Sequence, residues 1–437
     1  MLSFMDIVDR ALSGRYTPEA DFDLGVFVPE LQRVIEKYEI VFQPHTPIPW
    51  DDELADRVFE AGSEFYQRVG TYCTDTQRII QFSEPEIHEA LQTVHCETEF
   101  GEGSDRKCLV PRKPESEVPP WCFLGAAGAP VSSEEIFLSL VQAYGSIPLI
   151  DSLTSPTLVN IEGRRVRARS PLEILACIRS SRLVREGLER AGRPGLPVMN
   201  SIASASSDAA KIAGSQFGLR PSDGWLIGSA AELKINFEKL NEVAYVTNLG
   251  GRICGESGPL LGGYCGGPEG VAVANVAYHH HTILVLRGTC HVTFPLQFNT
   301  ISNSSRPMLW AISVSSQAIS RNSHLPFFTI PNTSSGPVED MCFLETAAIV
   351  TALVVSGSSL EALGVYKNAT LDLQTPQGPL FAAEIAHAVR GMGRKEANTL
   401  VNRLLERYEG RLKNPPRGKT YQESYDVESG KPLAETE

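Results

Sequence analysis

The chain has 437 residues, too many for one small domain; the length fits one large barrel with additions, or two or three domains. With 42% hydrophobic and 21% charged residues it has the composition of a folded globular protein, which excludes disorder and low complexity. Thirty-nine basic against 52 acidic residues leave a net charge of -13, which repels nucleic acid and anionic membranes and disfavours both as partners.

The first residues, MLSFMDIVDRALSGR, carry Asp6 and Asp9 within the apolar run, so no signal peptide is read there. Residues 1–115 read as a helical N-terminal extension. Pro29 to Lys37, Asp52 to Val69 and Glu84 to Val94 each space apolar residues by three and four. Ser83 before Glu84, Pro85 and Glu86 is a helix start. Cys73-Thr74-Asp75-Thr76 reads as a capping cluster. Pro111 to Pro120, rich in proline and charge, reads as a linker or surface loop.

From Cys122 onward, short apolar runs alternate with helical patterns. The strands expected are Ser146 to Leu153, Gly195 to Ser201, Val243 to Leu249 and Thr282 to Leu286, with an amphipathic helix over Ser170 to Ala191. Such alternation predicts an α/β fold with parallel βα units. A TIM-like (β/α)8 barrel over 116–410 is the first choice and an open doubly wound sheet the alternative. Thr346 to Ser356 is about half of the ~20 apolar residues that a membrane span needs and reads as a buried helix. Ala397 to Tyr408 is an amphipathic helix. Residues 411–437 form a polar tail, docked on a neighbouring subunit or free.

Nine cysteines without CxxC spacing argue against a disulfide framework, and a cytoplasmic location is expected. Phosphate-loop, HExxH and GxSxG motifs are absent. Gly262 to Gly267 (GGYCGG) would let a backbone approach a large group closely, or simply make a tight turn. On a strand, His279 and His281 would share a face and could, with Cys290 or His291, hold zinc; ordinary strand-end histidines are the better reading, so no metal is expected. Glu256 is read in a glycine-rich loop beyond the strand Val243 to Leu249, where barrel enzymes keep catalytic groups.

Five stretches give the chain its resemblance: Tyr72–Ile80 (YCTDTQRII), Ala191–Met199 (AGRPGLPVM), Gly262–Gly267, Met341–Glu345 (MCFLE) and Gly418–Val427 (GKTYQESYDV). In order and spacing they resemble the monomethylamine methyltransferases, over nearly the whole length. The resemblance implies a TIM barrel that assembles as a homo-oligomer. It implies methyl transfer from a small methylated amine to the Co(I) of a corrinoid (cobalamin), carried by a separate corrinoid protein and not by this chain. The family has pyrrolysine where this sequence has Met199. The pyrrolysine ring is an imine whose carbon an amine can add to, which captures and aims the methyl donor. A thioether has no such carbon and can only pack or make soft contacts.

Read ungapped, a family glutamate of that site falls on Leu226 and a glutamine on Ile330, while a second glutamate is kept as Glu256. Glu256 is the candidate catalytic residue; Met199, Leu226, Ile330 and Tyr264 are candidates for the substrate site. One carboxylate among apolar walls suits a quaternary ammonium or other activated methyl donor. Trp225, Tyr245 and Tyr264 are candidates to face such a cation. A catalytically inactive relative with a binding or regulatory role is the alternative from another class.

Overall fold

The computed structural model describes residues 2–199, 207–434 and 436. Seven parallel strands form one curved sheet. In chain order they are β1 (Cys122–Gly125), β2 (Ser152–Thr154), β4 (Gly224–Gly228), β5 (Arg252–Ser257), β6 (Cys290–Thr293), β7 (Phe327–Thr329) and β8 (Ser359–Glu361). β8 pairs with β1, so one edge is closed onto the other half of the sheet. The gap between β2 and β4 is bridged by 198–199, designated β3: Val198 pairs with Leu153 and Met199 with Gly224, both parallel. The result is a closed eight-stranded barrel.

Each strand leads into a helix: α1 (Glu134–Gly145), α2 (Pro171–Arg190), α3 (Asp208–Ser215), α4 (Phe237–Asn248), α5 (Pro268–Leu284), α6 (Arg306–Asn322), α7 (Asp340–Val355) and α8 (Gln377–Ala388). This is the (β/α)8 order. β3 is held in place by the buried Asp223 carboxylate, which accepts from Val198 N at 2.9 Å and Arg220 N at 2.6 Å.

Side chains alternate across the strands, and the interior fills in layers. Phe100, Leu109 and Trp121 close the amino end, with Phe100 and Trp121 edge to face at 5.8 Å. Above them Phe123, Met199, Leu226, Cys254, Cys290, Val292 and Phe328 pack into a dry middle.

Two expected strands are helical. Val243 to Leu249 belongs to α4, whose N-cap Asn236 accepts from Lys239 N at 3.0 Å. Thr282 to Leu286 is the end of α5 and the turn after it; the strand lies further on, at Cys290–Thr293. Thr282 to Leu286 ends a helix buried on every side, whereas Val243 to Leu249 runs from the buried Val243 to the exposed Thr247, Asn248 and Leu249. Asp52–Val69 packs along α5 so closely that a Cβ on Gly62 would sit 2.5 Å from Val276. Of the run Ser146 to Leu153 only its end is strand, and of Gly195 to Ser201 only 198–199; residues 200 and 201 lie outside the described residues.

The helices Asp52–Val69, Glu84–Thr93 and Arg394–Tyr408 stand where their periodicity places them. Asp51 caps the first through Glu53 N and Leu54 N. The N-terminal segment also builds a small sheet, Arg15–Tyr16, Arg78–Ile80 and Thr71–Cys73, which Lys234–Ile235 of the barrel joins. The cluster after Cys73 caps a distant helix and not its neighbour: Asp75 accepts from Phe237 N, at the start of α4, at 2.7 Å.

The stretch Pro111 to Pro120 is not a free linker. Buried Arg112 donates to Val354 O at 3.0 Å and Ser358 O at 2.7 Å. The tail lies on its own barrel: Tyr421 is fully buried and its hydroxyl meets Ser139 Oγ at 2.5 Å. Among the described residues no helix is long and apolar enough to cross a membrane.

Candidate active site at the carboxyl end of the barrel

Above the dry layers, a cavity of ≈ 210 Å³ opens at the carboxyl ends of the strands. On β5 the alternation turns Ile253, Gly255 and Ser257 outward and Cys254 and Glu256 inward, so Glu256 stands on a strand and not in a loop. Ile330, just past β7, forms part of the wall. Its amide donates to Thr293 O at 3.0 Å and its carbonyl accepts from Asn303 Nδ2 at 2.7 Å, which fixes the backbone there. Thr154, Phe294, Leu296 and Asn332 supply more of the lining.

The last inward residue of β8 is Glu361, which no sequence feature had singled out. It is 2% exposed, and among the described residues its Oε2 has no hydrogen-bond partner. Burial, then the nearby Glu256 and Cys254, push its carboxyl well above the usual carboxylate range. Burial also raises Glu256, while Lys211 and Lys239 pull it back down. Both lysines pair with buried Glu242, Lys211 at 2.7 Å and Lys239 at 2.6 Å. Asn368 completes the lining. Its Nδ2 donates to Ala127 O at 3.3 Å and its buried Oδ1 has no partner among the described residues.

The cavity brings Glu256 and Ile330 together with Glu361. Met199 is not part of its wall: it lies fully buried in the layer below, its sulfur accepting from Ser152 Oγ at 3.5 Å. Leu226 faces inward in that same layer. Tyr264 is 43% exposed on the rim, outside the cavity. It sits in the turn 262–267, where Gly262 (φ +86°) and Gly266 (φ +66°) adopt a conformation that favours glycine. Trp225 points outward from β4 and meets Tyr245 of α4 edge-on at 5.4 Å, so neither faces the barrel interior. The pattern of alternation could have found Glu361 only if the short run SLE had been read as a strand.

The four histidines near the proposed zinc site are buried hydrogen-bonding groups. His279, His280 and His281 lie on α5 and not on a strand. His280 Nε2 meets Ser63 Oγ at 2.8 Å, and His281 bridges Thr71 and Ser229 at 2.9 and 2.6 Å. His279 meets His291 at 3.1 Å and Ser323 at 2.7 Å. Among the described residues no group of three or more His, Cys, Asp or Glu is placed to hold a metal ion.

The model of the family described as "Monomethylamine methyltransferase MtmB" matches residues 2–436. The chain is 29% identical to MtmB1 of Methanosarcina barkeri, over 98% of this chain and 94% of the relative. It is also 29% identical to MtmB of Methanosarcina mazei, with the same coverage. It is similar in fold to the crystal structure of the M. barkeri enzyme, with a TM-score of 0.95 at 27% identity over 99% of this chain and 94% of that one. A second solved structure, the hydroxylamine complex of MtmB, matches with the same TM-score. A family match from end to end and a shared barrel show that this chain belongs to the monomethylamine methyltransferase MtmB family.

Proposed function

We propose that this protein transfers a methyl group from a cationic methylated nitrogen compound to the Co(I) of a corrinoid carried by a separate protein. The observation that carries the reading is the cavity itself: two carboxyl groups, Glu256 and Glu361, face an otherwise small and largely apolar space at the barrel mouth. A neutral ligand would leave an ionised carboxylate there uncompensated, whereas a cation offsets its desolvation. Glu256 in the cavity wall also favours an enzyme over an inactive relative.

The nitrogen must carry positive charge for its methyl to leave. In the pyrrolysine chemistry implied by the family resemblance, covalent capture would provide for that. Met199, packed in the layer below, has no electrophilic carbon and is out of the cavity. In this chain the carboxylates would instead hold a donor that is already cationic and orient its methyl toward the mouth. A Co(I) corrinoid would supply a strong nucleophile for that methyl. The rim suits a large flat group: Tyr264 and Phe298 are exposed on the loops that follow β5 and β6, and nothing fills the space beside Gly266. These residues would meet the corrinoid when its carrier docks.

The test mixes the protein with a Co(I) corrinoid protein and a methylated ammonium donor and follows the absorbance of methyl-cobalt. Methylation that is lost in Glu256→Gln is the expected result. Absence of methyl-cobalt with every mono- to tetramethylated ammonium compound would sink the reading.

A further inference from the structure

Glu361 Oε2 and Asn368 Oδ1 are both buried and both lack a partner among the described residues, and Asn368 is oriented by the bond its amide nitrogen gives to Ala127 O. Buried acceptors left empty are unusual, because each forfeits the hydrogen bonds it made with water. By contrast, the buried carboxylate of Glu345 accepts from Ser304 Oγ and from Ser334 N and Oγ at 2.5–2.9 Å. Glu361 is therefore not a structural anchor of that kind. Its Oε2 has no hydrogen-bond partner among the described residues and lines a space where a ligand fits.

The surrounding charges say which state of Glu361 a ligand needs. Lys211 on α3 and Lys239 on α4 are the cations acting on Glu256, and Glu242 of α4 binds both. With Glu256 ionised, two lysines balance two glutamates. Below Glu361 the neighbours on β5 and β6 are the thiols of Cys254 and Cys290, and burial keeps the Cys290 thiol protonated. A protonated Glu361 thus leaves the cluster neutral, with no charge spare for a cation.

Building on the function proposed above, we infer that Glu361 is the residue that sets the specificity of the site: with Asn368 Oδ1 it accepts the N–H of a small alkylammonium ion, giving up its own proton as the cation enters. The proton passes to solvent, and the ligand's positive charge takes its place beside the new carboxylate. A quaternary ammonium ion has the charge but no N–H. Buried here, it would leave both acceptors as empty as before. The cavity therefore favours a protonated methylated amine over the quaternary donor that the sequence suggested.

Trimethylammonium and tetramethylammonium ions differ by one N–H for one methyl and make the direct comparison. Titration calorimetry of the full chain at pH 7, in phosphate and in Tris, measures affinity and the protons released. Trimethylammonium is expected to bind at least ~10-fold more tightly, the scale of a charged hydrogen bond. Its binding should release a proton, and its affinity should rise with pH. Glu361→Gln should abolish the proton release and the preference. Equal binding of the two ions, binding without proton release by the wild type, or no binding of either would each overturn the inference. The wild-type measurements stand even where a variant fails to fold. None of them involves a corrinoid, so failure of methyl transfer with intact alkylammonium binding would reject the proposed function and leave Glu361 in its role.

Discussion

Glu361 shows how one inward position on a strand can change what a barrel mouth recognises. Its carboxyl is raised by burial and by Glu256, so the folded state holds a proton that the unfolded chain gives up near the ordinary carboxylate range. Its contribution to stability is therefore complete in acid and is lost as pH rises toward the raised value. Glu361→Gln keeps the shape and has no proton to lose. The variant should gain stability relative to wild type as pH rises above the ordinary carboxylate range, by up to about 1.4 kcal/mol per unit. Urea unfolding at several pH values measures the difference, and a gap that does not vary with pH would show that Glu361 is ionised without penalty.

At the scale of elements, α5 carries the opposite pH dependence. Burial holds His280 down to about 4 and His281 to about 3, and His291 on the adjacent β6 to about 3. Unfolded, all three take up protons below about 6.5, so the stability they contribute is present above that pH and is lost as pH falls toward their folded values. Each such histidine costs up to about 1.4 kcal/mol of stability per pH unit below its unfolded value. Chemical unfolding at pH 7, 6 and 5 of wild type and His280→Phe checks this: the variant should lose less stability toward acid, by up to that amount per unit. α7 supplies a second case. Its Glu345 gathers Ser304, Ser334 and Ser335 and so fixes the loop after β7, beside Ile330 and Asn332. Glu345→Ala leaves several buried donors without a partner and should destabilise by ~3 kcal/mol or more, read by denaturant unfolding.

At the scale of the whole molecule, chain ends far apart in sequence lock the barrel. The small N-terminal sheet shares a strand with 234–235, Asp52–Val69 covers α5, and the tail crosses to Ser139. The tail contact needs two glycines. A Cβ on Gly336 would lie 1.6 Å from Arg417 O, and Gly418 (φ +76°) meets Gly336 C at 2.5 Å by the same construction. Gly336→Ala should therefore lift the tail, exposing Tyr421 and opening 412–430 to protease well before the barrel is cut. Limited proteolysis followed by mass spectrometry reads this directly; an unchanged cleavage pattern would show that the tail can shift without leaving.

Local sequence determined the amphipathic helices Asp52–Val69, Glu84–Thr93 and Pro171–Arg190, since each has one wet face and its period survives in the residue order. The motif order carried the family and with it the barrel. Elements buried on every side had no such signal. The end of α5 read as a strand because neighbouring layers cover the faces that would otherwise be polar, and β8 is too short to show a period of two. The site divides in the same way. Glu256 and Ile330 were legible because motifs flank them, whereas Met199 and Leu226, singled out with them, face the layer below. Glu361 and Asn368 reach the same cavity from the last strand and the loop after it, more than 100 residues from Glu256. Only closure of β8 onto β1 brings them there, because which side chains share a barrel mouth is set by the order and register of strands and not by distance along the chain.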